Sequence, residues 1–167
     1  MILTTHAIVG AAAGRLFSDP FVAFSAGFAS HFIIDAIPHW AYNLKSRARN
    51  EKEPLNDDIE IGKKFVGDLA RIGLDFIVGI FAAIFIFQGE DGFMSLSVNL
   101  LSGVAGGIIP DFMQFLYFKI RQEPFIAVQK LHIYVHQGIG EIPALPYGLI
   151  SQVVVIAAAI LISKAIF

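Results

Sequence analysis

The segment Ala29-Ser30-His31-Phe32-Ile33-Ile34-Asp35-Ala36-Ile37-Pro38-His39-Trp40-Ala41-Tyr42 sets two histidines and one aspartate into an otherwise apolar run. His31, Asp35 and His39 follow one another at intervals of four. On a helix a step of four advances about 400°, so the three side chains stay within roughly 80° of one face. Burying them uncompensated is costly, because an unpaired polar group in an apolar medium costs about 2–7 kcal/mol and a charge costs more. A bound metal ion is one compensation. Histidine and aspartate suit a borderline cation such as Zn²⁺, and a chain without cysteine must build such a site from N and O donors. The stretch is expected to close a helical span from about Phe21 to Trp40, with His31 roughly 12 Å deeper than His39. Trp40 and Tyr42 suit a membrane–water interface.

The rest of the chain shares this apolar character. Its 167 residues are 56% hydrophobic and 16% charged, with a mean hydropathy of +0.67. A soluble domain carries about 25% charged residues, so a water-exposed surface cannot be built from this composition. The expectation is all-α: a polytopic integral membrane helical bundle forming a single transmembrane domain over residues 1–167. Helices of about 20 residues allow about five spans, with a short half-helix in addition. A net charge of −2 gives no argument for nucleic acid. Without cysteine, disulfides and thiolate chemistry are excluded. The N-terminal residues lack a basic n-region, and the first apolar segment is expected to be retained.

Residues 2–17 form the first segment, with Gly10 and Gly14 as a small-residue face open to a second helix or a second copy of the chain. Asp19 and Pro20 read as an N-cap and first helical residue. Residues 43–64 mix Lys and Arg with Glu and Asp and read as a solvated loop. A third segment follows at about 65–88, with Asp68, Arg71 and Asp75 on one face. Glycines at 89 and 92 mark a turn. The fourth span, at about 93–118, contains Gly103, Gly106, Gly107 and a Pro110 expected to kink it beside Asp111. A second basic connection, 119–130, leads into Phe125 to Gln137, which carries His132 and His136. Thirteen helical residues rise only about 20 Å, hence the half-helix. A turn at 138–143 and a last span at about 144–166 complete the chain.

Lys and Arg concentrate in 43–64 and 119–130. The positive-inside rule therefore puts both connections and the N-terminus in the cytoplasm, in a multi-pass protein of the cell (inner) membrane. With that topology His6, Asp35, His39, Asp75, Asp111, His132 and His136 all sort to the cytoplasmic half. Intramembrane ionisable groups are functional candidates by default. The His31, Asp35, His39 series and the His132, His136 pair each present a chelating helical face, and Asp111 joins them. His6 reads equally as an interfacial histidine. Asp68 and Arg71 read as a structural ion pair beside the loop, and Arg15 as a snorkelling or neutralising cation.

Thr5-His6 followed by glycine, Ser30-His31 with Asp35, Pro38 and His39, the later Gly107 with Pro110-Asp111, and the distal histidine pair resemble the YdjM-like family of membrane-bound metal-dependent hydrolases. The His31 to His39 element is also similar to part of the zinc-dependent phospholipase C fold. The resemblance implies metal ligation by His6, His31, Asp35, His39, Asp111, His132 and His136, with one or more zinc ions, another divalent metal being an alternative.

A metal-dependent hydrolase acting on a phospholipid or other lipid phosphoester at the cytoplasmic leaflet is the function these readings support. Asp111 or Asp75 would serve as general base, or would orient a ligating histidine. The basic connections favour anionic headgroups. The alternative is a proton or divalent-cation transporter using intramembrane Asp and His, although a pathway needs polar groups in both leaflets. Haem ligation by two histidines is a third reading, which the carboxylates disfavour.

Overall fold

A computed structural model of the protein describes residues 1–50, 52–88, 97–137 and 144–166. The turns expected at 89–92 and 138–143, and Glu141 with them, lie outside the described residues. Those residues form six α-helices: α1 (Leu3–Gly14), α2 (Pro20–Asp35), α3 (Lys63–Phe87), α4 (Val98–Ile120), α5 (Phe125–Gln137) and α6 (Leu149–Ile166). A two-stranded antiparallel hairpin lies between α2 and α3, pairing β1 (Arg47–Ala48) with β2 (Asp58–Ile59). A π-helical turn, Ala144–Gly148, leads into α6.

Helix α1 is the centre of the bundle. It packs against α2, α3, α4 and α6, and ten of its twelve residues are buried. Beyond Thr4, Thr5 and His6 in its first turn its side chains are apolar on every face, as a fully surrounded helix requires, and its glycines and alanines let neighbours approach closely. A Cβ on Gly103 of α4 would strike the carbonyl of Gly10, and one on Gly107 would lie 2.5 Å from the carbonyl of His6. The glycine faces that the sequence left open to a second copy of the chain are thus spent within one chain. Leu3, Ala7, Ile8 and Ala11 of α1 join Ala83, Ile84 and Phe87 of α3 and Leu100, Val104 and Ile108 of α4 in the largest apolar core.

Three helical stretches are long and apolar enough to cross a membrane: Lys63–Phe87, Val98–Ile120 and Pro146–Ile166. Helices α1 and α2 have 12 and 16 residues. They rise about 18 and 24 Å, short of a hydrocarbon core of about 30 Å. The expected N-cap holds, with Asp19 accepting from the amides of Phe21 and Val22 at 2.9 Å each. Helix α5 has the bounds read from the sequence. Helix α2, however, stops at Asp35 and does not reach Trp40. Pro38 disfavours helix at the residue before it, and the chain turns back instead.

The stretch 43–64, expected as a solvated loop, is folded onto the end of α4. The Tyr117 hydroxyl donates to the Leu55 carbonyl at 2.7 Å, and Arg121 donates to the carbonyls of Leu55 and Asp57 at 2.8 Å each. Lys119 pairs with Asp58 at 2.9 Å, and its ammonium holds the Asp58 carboxyl below the usual carboxylate range. Ile59, Tyr117 and Phe118 form a small apolar core beneath the hairpin. The two basic connections therefore lie at the same end of the molecule. Asp68 accepts from the amide and the hydroxyl of Ser46, both at 2.8 Å, and is in no ion pair with Arg71 among the described residues. The guanidinium of Arg15 lies over the Phe87 ring at 5.3 Å.

Candidate metal centre

Four helices and one turn deliver the polar residues to a single point. Helix α1 brings His6, α2 brings His31 and Asp35, the turn after α2 brings His39, α4 brings Asp111, and α5 brings His132 and His136. Because the chain reverses after Asp35, His39 is not one helical step further along but faces the same carboxylate, its Nε2 lying 3.6 Å from Asp35 Oδ1. The roughly 12 Å separation expected between His31 and His39 is replaced by convergence on Asp35.

Asp35 is the hub, 1% exposed. Its Oδ1 faces His6 Nε2 at 3.3 Å and His39 Nε2 at 3.6 Å. Its Oδ2 faces His31 Nε2 and His136 Nε2, both at 3.3 Å. The Met1 amine donates to Asp35 Oδ1 at 2.5 Å and lies 2.8 Å from His39 Nε2, so a positive charge already sits between two of the donors. Asp111 Oδ1 closes the other side, 3.8 Å from His31 Nε2 and 3.6 Å from His132 Nε2. The rings of His6 and His31 stack with centroids 3.9 Å apart.

The outer nitrogens of two of the five histidines are arranged as metal-ligating histidines require. His31 Nδ1 lies 2.8 Å from the Gly107 carbonyl and His39 Nδ1 lies 2.6 Å from the Ile37 carbonyl. A carbonyl can only accept, so both Nδ1 atoms carry the proton and, in the neutral rings, both Nε2 lone pairs face the centre. Pro110 has no N–H to give to the Gly106 carbonyl, and the next carbonyl along α4 is the one that orients His31.

Within the centre, His31 Nε2 and His132 Nε2 stand only 2.9 Å apart. Both ring nitrogens of His6 and the Nδ1 of His132 are buried without a hydrogen-bond partner. Converging Nε2 atoms, with the Nε2 of His6 orphaned among them, are what a cation would satisfy. Three overlapping groups could hold a metal ion: His6, His31 and Asp111; His31, Asp35 and His132; and Asp35, His39 and His136, each with donor atoms within 4.8 Å of one another. The donors are imidazole nitrogen and carboxylate oxygen throughout, suited to borderline divalent cations. His6, His31 and Asp35 are sealed, whereas the side chains of Asp111 and His136 are 31% and 39% exposed, so the centre opens between α4 and α5.

Asp75 is placed differently from the other candidates. Its carboxylate accepts from the Thr4 hydroxyl at 2.6 Å and the Thr4 amide at 3.2 Å. Helix α1 has Ile2 at its N-cap, which offers no side-chain oxygen. Asp75 therefore caps α1 from the neighbouring helix, next to the positive end of its dipole, and belongs to none of the three donor groups.

Sequence reasoning missed two amides. Gln152 of α6 accepts from the Ile2 amide and the Thr5 hydroxyl at 3.0 Å each, and donates to the carbonyls of Trp40 and Gly148 at 3.1 and 3.0 Å. It ties together the two strands of chain that carry His6 and His39. A lone amide in an otherwise apolar segment was the available signal. Gln129, fully buried on α5 one turn before His132, accepts from Gln114 at 3.0 Å. No family model, curated protein or solved structure matches this chain.

Proposed function

We propose that the protein is a membrane-embedded, metal-dependent hydrolase of lipid phosphoesters, related in its donor pattern to the YdjM-like hydrolases. One observation carries this reading: five imidazoles and two carboxylates, drawn from segments up to 130 residues apart, meet with His31 and His39 oriented by backbone carbonyls and with the ring nitrogens of His6 orphaned. Without a cation the ring nitrogens of His6 stay buried with no hydrogen-bond partner, a cost that purely structural burial does not offset.

In this reading His31, Asp35, His39, His132 and His136 hold zinc, with His6 and Asp111 completing the set. Each Asp35 oxygen faces two histidines, so the donor set would suit two ions. Bound zinc supplies Lewis acidity, lowering the pKa of a water and polarising a phosphoryl oxygen. The protein's own groups do the rest. Asp111, at the open edge, would take up the proton of the attacking water on the carboxylate oxygen not turned to His31 and His132. Buried His6, His31 and Asp35 keep bulk water from the inner side, and Gln152 fixes the segments that carry His6 and His39. The topology is N-terminus cytoplasmic with five crossings, α1 and α2 being short ones. The contacts of Lys119 and Arg121 with the 55–59 segment keep the two basic connections on one side, as that topology needs. The opening between α4 and α5 then meets the headgroup level, where a lipid phosphoester presents its scissile bond.

The test is elemental analysis of detergent-purified protein beside His31→Ala/Asp35→Ala. The expected result is about two zinc ions per chain, lost in the double variant, with Asp111→Asn lowering phosphodiesterase kcat about 10²-fold or more. Folded, metal-free wild-type protein would overturn the reading.

A further inference from the structure

We propose that the exposed face of α3 binds an anionic phospholipid, with its phosphate among Lys45, Lys63, Lys64 and Arg71 and an acyl chain along Val78, Phe81 and Phe85. This inference is separate from the metal centre, to which α3 gives no residue, and rests on α3 crossing the membrane.

Residues 64, 67, 71, 74, 78, 81 and 85 alternate in steps of three and four, so they form one stripe along the helix. Every one of them is exposed. The stripe is charged at one end and apolar along the remainder. At the charged end the four cations surround a hollow of about 320 Å³ in which Asp68 is the one acid. Its carboxylate is 2% exposed and already accepts twice from Ser46. At the apolar end Val78, Phe81 and Phe85 line a groove of about 510 Å³. From Arg71 to Phe81 is about 15 Å, half the hydrocarbon core, so head and tail sites span one leaflet.

The charges are also distinctive by what they lack. Three other cations at this end are engaged: Arg47 with Asp57 at 2.7 Å, Lys119 with Asp58 at 2.9 Å, and Arg121 with two carbonyls. Among the described residues Lys45, Lys63 and Lys64 are in no ion pair. Four cations against one occupied carboxylate leave three net positive charges where the helix enters its apolar part. A net-anionic phosphate joined to hydrocarbon complements both ends at once, whereas inorganic phosphate lacks the acyl chain and a zwitterionic lipid offsets its phosphate with a quaternary ammonium.

The experiment titrates the full-length protein in neutral detergent with phosphatidylglycerol, phosphatidylcholine or inorganic phosphate, and reads lipid adducts by native mass spectrometry and the thermal transition. Phosphatidylglycerol is expected to bind at least about tenfold more tightly than phosphatidylcholine, and inorganic phosphate to leave the transition unmoved. Lys63→Gln/Lys64→Gln/Arg71→Gln should abolish that preference while keeping the lipid-free transition. Lys64→Gln, a single exposed side chain, carries the same comparison with about a fivefold loss should the triple variant not fold. Phe81→Asn should weaken both lipids. Equal binding of the two lipids, a preference unchanged in the variants, or equal stabilisation by inorganic phosphate would overturn the proposal.

Discussion

Helices α1 and α6 are both apolar around their whole circumference, yet one is buried on nearly every side and the other is mostly exposed. Apolar character does not separate them; side-chain size does. Helix α1 is built on Gly10, Gly14 and a run of alanines, and backbones of α3 and α4 approach it to contact. Helix α6 presents Ile150, Val153, Val154, Leu161 and Ile162 outward. In a bilayer lipid tails are as apolar as leucine, so close packing rather than apolarity chooses the centre. The polar residues follow the same division, with the sealed donor His6 on α1 and a single clamp, Gln152, on α6.

The sharpest way to break this contrast is to add volume at the α1 contact. Gly103→Ala brings a methyl group against the Gly10 carbonyl and should destabilise the protein by about 3 kcal/mol. Gly67→Ala on the outer face of α3, with nothing within 4 Å, should be neutral or stabilising by up to about 1 kcal/mol. Thermal denaturation in one detergent compares them, and equal effects would refute the packing argument. Gln152→Leu comes next. It strands the Thr5 hydroxyl and the Ile2 amide and should cost about 2 kcal/mol, whereas Val153→Ala beside it should cost under about 0.5 kcal/mol.

Asp75→Ala removes the cap of α1 and should cost about 1 kcal/mol while leaving metal content unchanged. Loss of metal in that variant would return Asp75 to the centre. The smallest effect belongs to the hairpin. Lys119 lowers the Asp58 carboxyl, so that pair stabilises above the unfolded aspartate pKa of about 3.9, and its contribution fades as pH falls through the lowered folded value. Both groups are partly exposed, and Asp58→Asn should cost under about 1 kcal/mol at pH 7 and nothing near pH 2, read from unfolding curves at the two pH values.

Much of this organisation is legible in the residues alone. The bounds of α5, the Asp19–Pro20 helix start and the apolar run of α3 follow from capping chemistry and periodicity, both of which act over a few residues. All seven residues chosen as donors also meet in space. What the sequence leaves open is mostly set by partners far along the chain: Thr4 for the capping contact of Asp75, Tyr117 and Arg121 for the folding of the 43–64 hairpin onto α4, Ile2 and Trp40 for Gln152. His39 differs, because Pro38 ends α2 locally and only then does the turn carry His39 back to Asp35 and Met1.

By itself the sequence determined the chemical class of this molecule: apolar helices, some of them long enough to cross a membrane, and a nitrogen and oxygen donor set without cysteine. Those properties depend on composition and on spacing within one helix. Only the tertiary structure decided that α1 is the axis, that His6 faces Asp35 and that Asp75 caps a helix. Backbone-to-backbone contact at Gly10, Gly103 and Gly107 sets the register between helices, and that register, which no single segment encodes, fixes where each side chain ends.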